Sequence, residues 1–135
     1  MDVTGTYAEL ARLVVELTWR IDHGQASRVH ELFVDDGVLA LGGRHEGREA
    51  IRGWGVQREA SPRQSRHVCT NMRFTVASPT EADGTTTVTV YLRESDGPAS
   101  TVPTVVGEYQ DTFTRAPDGA WAFRTRSMTA FSRAG

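Results

Sequence analysis

The sequence contains only one cysteine, Cys69, and no long hydrophobic run. A single cysteine excludes an intramolecular disulfide and does not support a thiolate metal site. No apolar run is long enough to cross a bilayer, and the first residues lack the basic and apolar regions of a signal peptide. Together these absences predict a soluble protein of the reducing cytoplasm.

The chain also lacks an excess of either charge. Its 15 Lys and Arg residues face 17 Asp and Glu residues, which gives a net charge of −2. We therefore expect no nucleic acid and no membrane among its partners. No HExxH motif or other cluster of histidines and acids has metal-ligand spacing, so we expect no metal. The 135 residues predict one domain, 1–135, with a hydrophobic core.

The first half of the chain has mainly helical patterns. Apolar residues recur at helical spacing in Thr6–His23. Thr6 followed by Glu9 predicts a capping box, and Gly24 is a typical helix stop. Shorter helical patterns predict further helices at 25–33 and 48–60, and the sequence between them predicts a short strand and a turn at 38–41 and 42–47.

The second half has the patterns of strands. After a linker at 61–65, β-forming residues and turn signals predict strands at 67–77, 85–92, 104–115 and 121–131, with turns or loops at 82–84, 95–103 and 116–119. Helices followed by strands, with short connections, predict an α+β fold. In this fold the three N-terminal helices pack on one face of a strongly curved, mostly antiparallel sheet.

Asp22 lies in the last turn of the first predicted helix. At about 100° per residue it falls on the flank of the apolar stripe. A carboxylate is disfavoured there, because it approaches the core and the negative end of the helix dipole. Asp22 therefore has a partner or a function, unless this is a solvated helix end. Trp19, one turn earlier, either forms the wall of a pocket around Asp22 or packs in the core.

His67 begins the first long predicted strand. Strand alternation places it on one face with Cys69, Asn71 and Arg73, a face that is polar enough to line a cavity. Histidine is suited to acid–base catalysis near neutral pH. Asp22 is the carboxylate best placed to orient its ring. The alternative is a structural or exposed histidine.

Tyr109 and Asp111 share a face of the third long strand. They could form a pocket wall, with the tyrosine hydroxyl as hydrogen-bond donor, or they could be ordinary cross-strand neighbours. On the last predicted strand Arg124 and Arg126 alternate with the aromatic residues. These arginines could pair across strands with Asp111 or Glu108.

Several short motifs occur in a fixed order with Asp22. They are FxDDGV at 33–38, EGREAI at 46–51, RHxxTN at 66–71, GxYxDxFxR at 107–115 and GAWxF at 119–123. In this order they resemble the SnoaL-like branch of the nuclear transport factor 2-like superfamily, from about residue 7 to residue 126. The resemblance implies a cone-shaped α+β barrel with a deep, mostly apolar pocket, and a homodimer.

The resemblance also implies that Asp22 and His67 face each other across that pocket. Relatives similar to scytalone dehydratase and bile-acid dehydratase use such an Asp/His pair for water elimination without a cofactor. Polyketide cyclases and steroid isomerases of this fold promote enolisation. Ile21, however, stands where scytalone dehydratase has a tyrosine, and the second histidine of that enzyme has no evident counterpart here.

From these observations we expect a cofactor-independent dehydratase, isomerase or cyclase for a small hydrophobic substrate with a hydroxyl or carbonyl group. The Asp22 carboxylate and the His67 imidazole should lie within about 3 Å of each other and should open onto a cavity of about 300 Å³ or more. A non-catalytic binding or dimerisation module of the same fold is the main alternative, and epoxide hydrolysis is a second. The predicted catalytic residues are Asp22 and His67, and the predicted substrate-binding residues are Trp19, Asn71, Tyr109, Asp111 and Arg126.

Overall fold

The computed structural model describes residues 2–134 and has helices α1 (Val3–Asp22) and α2 (Arg48–Ala60), with a 3-10 helix (Ala26–Leu32) between them. The six strands are β1 (Phe33–Ala40), β2 (Arg44–Glu46), β3 (Gln64–Val76), β4 (Glu81–Arg93), β5 (Val105–Arg115) and β6 (Trp121–Arg133). Among these residues no helix is both long and apolar enough to span a membrane.

The six strands form one sheet in the order β2-β1-β6-β5-β4-β3. All neighbouring strands are antiparallel except β1 and β6, which are parallel. The predicted α+β class and the mostly antiparallel sheet are therefore confirmed. The sheet remains open, with β2 and β3 at its edges, so the cone is not a closed barrel.

The core lies between the helices and the concave face of the sheet. The apolar stripe of α1 packs against Phe33, Phe113 and Phe123, which are fully buried. Each buried side chain of this size contributes about 1.5–3 kcal/mol to folding. The stripe ends at Ile21, which places the next residue, Asp22, at the edge of the core.

The N-terminus of α1 differs from the prediction. The helix begins at Val3, and its cap is Asp2, whose carboxylate accepts a hydrogen bond of 2.9 Å from the backbone N–H of Gly5. Thr6 is buried inside the helix, so the predicted capping box is wrong. At the other end Gly24 has a φ of 73°, as expected for a residue that follows a helix.

Two predicted turns belong to strands instead. Residues 44–46, within the predicted turn 42–47, pair with β1 as β2. Residues 82–84 lie within β4, and the turn comes before them at 77–80. Gly84 permits a close approach of two strands, because a Cβ there would lie 2.3 Å from the ring of Phe74. Strand pairing has overridden the local turn preference at both places.

A bulge in β3 changes which side chains face the core. One extra residue separates Thr70 from Arg73 relative to β4, and Asn71 has a φ of 52°. Because one extra residue reverses the alternation, Asn71 and Arg73 are exposed while Met72 packs against the core. The prediction that Asn71 and Arg73 share the face of His67 is therefore wrong.

A second bulge, in β6, has the opposite consequence for an arginine. The register against β5 shifts between Thr112 and Phe113, so that β6 carries one extra residue at Arg124. Arg126 consequently points to the same side as Phe123 and is fully buried. The predicted alternation of Arg126 with the aromatic residues of this strand is wrong for this reason.

Candidate active site

The site is built around the contact between the end of α1 and the start of β3. Asp22 Oδ1 lies 2.6 Å from His67 Nδ1, and the backbone N–H of His67 donates to Asp22 Oδ2 at 2.8 Å. Only 6% of the Asp22 side chain and 12% of the His67 side chain are exposed. The predicted contact between these two residues is present.

The protonation state of this pair follows from its surroundings. Burial works to raise the pKa of the Asp22 carboxyl, but the hydrogen bonds and charge of His67, with a hydrogen bond from Ser65, lower that pKa below its ordinary value. An ionised carboxylate only accepts hydrogen bonds, so His67 Nδ1 carries a proton. The neutral imidazole then has its lone pair on Nε2, which has no hydrogen-bond partner among residues 2–134.

Two residues missing from the predicted site hold Asp22 in place. The hydroxyl of Ser65 donates to Asp22 Oδ1 at 2.7 Å, and Arg58 Nη2 donates to the same hydroxyl oxygen at 2.9 Å. A continuous chain of contacts therefore runs from Arg58 through Ser65 and Asp22 to His67. Ser65 was hidden in the predicted linker 61–65, although strand alternation from His67 would have placed it on the same face.

Two spaces adjoin the Asp22–His67 pair: a cavity of about 170 Å³ that His67 lines, which is smaller than the predicted minimum of about 300 Å³, and an outer groove of about 510 Å³ that Asp22 lines. The cavity of about 170 Å³ fits a small substrate. Its lining consists of Ile21, Leu41, Trp54, Val90, Leu92, Arg58, Ser61, Arg63, Ser65, His67 and Tyr109.

Tyr109 contributes a hydrogen-bond donor to the cavity wall. Its hydroxyl has no hydrogen-bond partner in the described part of the chain, although the residue is almost fully buried. Burial raises the pKa of the phenol, an effect that the positive charge of Arg126 opposes without cancelling it. The hydroxyl therefore stays protonated and can donate to a ligand.

Asp111 and Arg126 form a second ion pair beneath Tyr109. Arg126 Nε and Nη2 donate to the two carboxylate oxygens of Asp111 at 2.7 and 2.9 Å, and both side chains are fully buried. Burial alone would lower the pKa of Arg126, but the Asp111 carboxylate raises it, so the guanidinium stays charged. Neither residue lines the cavity, so the prediction that they bind the substrate directly does not fit their positions.

Trp19 and Asn71 also lie away from the cavity. Trp19 is 43% exposed on the outer side of α1, where its ring stacks on His23 at 4.3 Å between centroids. It lies opposite the apolar stripe and therefore cannot wall a pocket inside the cone. Asn71 is exposed at the bulge of β3. The predicted substrate contacts of Trp19 and Asn71 do not fit these positions.

The described residues offer no obvious metal site. Within residues 2–134 no group of three or more His, Cys, Asp or Glu side chains is arranged to hold a metal ion. The cavity lining includes two groups suited to acid–base chemistry, His67, which Asp22 orients, and the hydroxyl of Tyr109. This set of groups fits proton transfer.

Solved structures share this fold at low sequence identity. A provisionally assigned scytalone dehydratase from Novosphingobium aromaticivorans is 22% identical, with a TM-score of 0.81 over 94% of this chain and 85% of that chain. ActVI-ORFA from Streptomyces coelicolor is 21% identical, with a TM-score of 0.78 over 95% of this chain and 98% of that chain. A Catenulispora acidiphila protein in complex with S-DNPA is 23% identical, with a TM-score of 0.74 over 93% of each chain.

No curated protein matches this sequence. The sequence profile of the SnoaL-like domain matches residues 3–127, nearly the whole chain, including Asp22, His67 and Tyr109. The resemblance first seen in the short motifs thus extends over every helix and almost every strand. The chain belongs to the family of SnoaL-like domains.

Proposed function

We propose that the protein is a cofactor-independent acid–base enzyme for a small, mostly apolar substrate with a hydroxyl or carbonyl group. The observation that supports this most strongly is the 2.6 Å contact between Asp22 and His67 at a cavity wall, with Nε2 of the histidine free. A base near its substrate and oriented by a carboxylate is the usual arrangement for proton abstraction.

The proposed reaction begins at a carbon next to a carbonyl group. His67 Nε2 removes a proton from this carbon, and Asp22 stabilises the imidazolium that forms. The hydroxyl of Tyr109 donates to the developing oxyanion. In an isomerase or cyclase the imidazolium returns the proton to another atom of the substrate, and in a dehydratase it protonates a leaving hydroxyl, which departs as water.

The expected contributions are those of the two groups that touch the substrate. General acid–base catalysis by a positioned side chain supplies about 10²–10⁴-fold. One well-placed donor to an oxyanion supplies about 10²–10³-fold. Epoxide hydrolysis is less well supported, because it needs further carboxylates to activate water and Asp111 is engaged by Arg126 away from the cavity.

Proton exchange tests this proposal without knowledge of the natural substrate. In deuterated water the protein should accelerate exchange of the α-protons of a small ketone such as 2-tetralone, followed by NMR. His67→Asn should lower the accelerated rate by at least about 10²-fold. His23→Asn is the matched control, because His23 is exposed just after α1 and does not line the cavity, and it should leave the rate unchanged.

Two results would count against the proposal. One is exchange by His67→Asn at the rate of the unaltered protein. The other is no acceleration by the unaltered protein for 2-tetralone and other small ketones, together with no dehydration of small β-hydroxy ketones. A non-catalytic binding or dimerisation module, for which the small cavity is an argument, would give the second result.

The homodimer stays a prediction, which light scattering checks.

A further inference from the structure

Arg58 is a partly buried arginine whose charge has no carboxylate in contact. It lies in the last turn of α2, and it lines both the cavity and the groove of about 510 Å³ outside it. Nη1 donates to the backbone carbonyl of Arg63 at 3.1 Å, and Nη2 donates to the hydroxyl of Ser65 at 2.9 Å. Both acceptors are neutral, and no carboxylate of residues 2–134 lies within 4.0 Å of the guanidinium.

Other arginines with little exposure in this chain have acidic partners. Arg20 lies 3.0 Å from both Glu16 and Glu31, and Arg126 is held by Asp111. Arg58 differs from them, although it also loses water contacts. Burial, with repulsion from Arg63, lowers its pKa, which the more distant Asp22 opposes. The group nevertheless stays protonated near neutral pH, because an arginine cannot be deprotonated there.

The cavity lining combines positively charged and apolar side chains. Its lining includes Arg58 and Arg63 but no carboxylate, and Arg63 faces Glu94 at 3.1 Å on the exposed outer surface. Trp54 and Leu41 belong to the apolar part. A small ligand with an apolar body and one anionic end would match both parts of this wall.

We propose that Arg58 is a specificity-determining residue that binds a carboxylate of the substrate at the rim of the cavity. The proposal rests on the proposed function and narrows its substrate class to small carboxylic acids with an apolar body. The planar guanidinium retains free N–H groups in a fork that matches the two oxygens of a carboxylate. An acid bound in this way would place its apolar body in the cavity that Trp54 and His67 line.

Paired ligands that differ only in charge test this assignment. The probes are 2-naphthoate and its uncharged counterpart 2-naphthamide, and calorimetry measures their affinities. The unaltered protein should bind the acid about tenfold or more tightly than the amide, as expected for a charged hydrogen-bonded pair. Arg58→Gln should bring this ratio close to one. Arg52→Gln, an exposed arginine of the same helix, is the matched control and should preserve the ratio.

Three further measurements separate the possible causes of a preference for the acid. His67→Asn should lose the exchange of 2-tetralone protons while keeping the preference for the acid, so that the two proposals can fail independently. If Arg58→Gln does not fold, Arg58→Lys replaces it and should weaken the preference, because lysine lacks the planar fork. In the unaltered protein, added salt should weaken binding of the acid more than binding of the amide.

The assignment is overturned by any of several results. These are equal affinity of the unaltered protein for acid and amide, no binding of either ligand, or an unchanged preference in the Arg58 variants. Loss of the preference in Arg52→Gln would also overturn it, because the effect would then reflect the general charge of α2.

Discussion

Two aspartates of this protein lie in close contact with a cationic or basic side chain inside the cone, and the two pairs differ in what else they touch. Asp111 and Arg126 are joined by two hydrogen bonds and are fully buried, although Arg126 Nη1 has no hydrogen-bond partner in residues 2–134. Asp22 and His67 share a contact of 2.6 Å at the cavity wall, and one ring nitrogen of His67 remains free.

This difference in surroundings indicates that Asp111–Arg126 is a structural pair and that Asp22–His67 is suited to proton transfer. Arginine keeps its proton near neutral pH, so the buried pair has no proton to exchange. Histidine gains and loses a proton in that range. The two pairs therefore use similar carboxylates for different purposes: Asp111 balances a permanent charge in the interior, and Asp22 orients a ring that can accept a proton from a ligand.

The largest expected effect is the loss of activity when the Asp22–His67 pair is altered. Asp22→Asn should lower the rate of ketone proton exchange by up to about 10⁴-fold, because an amide no longer holds the ring in the tautomer that leaves Nε2 free. Asn is close in size to Asp, so the fold should persist. NMR exchange rates measure the loss and circular dichroism checks the fold. A variant that retains more than half of the rate would show that the carboxylate does not orient the base.

Changes to the Asp111–Arg126 pair should instead affect the stability of the fold. Asp111→Ala leaves the buried guanidinium of Arg126 without its partner and should cost about 3–5 kcal/mol of unfolding free energy. The double variant Asp111→Leu with Arg126→Met should recover most of this loss, because neither charge is then buried. Urea unfolding measures both. A loss below about 1 kcal/mol in the single variant would contradict the structural role of this pair.

Tyr109 lies between the two pairs. Its substitution should affect activity more than stability, as we expect for the Asp22–His67 pair. Tyr109→Phe removes a hydroxyl that has no hydrogen-bond partner in residues 2–134, so the unfolding free energy should change little. The exchange rate should fall by about 10²–10³-fold if the hydroxyl donates to the oxyanion. An unchanged rate would remove Tyr109 from the mechanism and leave it as part of the packing around Arg126.

The smallest effect concerns acid stability. The folded-state pKa of Asp22 lies below its unfolded value, so its ionised form stabilises the fold above the unfolded pKa of about 3.9. This contribution should be lost as the pH falls through the folded-state pKa. Melting temperatures of the protein and of Asp22→Asn should therefore converge as the pH falls through this range. A constant difference down to about pH 2 would contradict the direction of this shift.

The Asp22–His67 contact could be predicted because each residue has a clear position in a regular pattern. Helix spacing puts Asp22 at the flank of the apolar stripe, and the short motifs resemble a family in which such an acid meets a histidine. Ser65 and Arg58, which hold Asp22 in place through hydrogen bonds, were not predicted. Ser65 looked like part of a linker, and Arg58 looked like one of many charged residues on α2.

The bulges explain most of the errors within the site. One extra residue in β3 turns Asn71 outward, and one extra residue in β6 turns Arg126 inward. Single inserted residues leave little trace in local hydrophobic alternation, because the pattern is regular on each side of them. The Asp111–Arg126 pairing was one of the possible cross-strand pairings of Arg124 and Arg126 with Asp111 or Glu108, since neighbours of opposite charge are expected to meet. Its complete burial was not predicted.

The tautomer of His67 tests the account most directly, because it needs no substrate. Nitrogen NMR of the labelled protein at mildly alkaline pH should show a protonated Nδ1 and an unprotonated Nε2 for His67, and Asp22→Asn should alter this state. A ring protonated on Nε2 in the unaltered protein would contradict the account, because the atom at the cavity could then not act as the base.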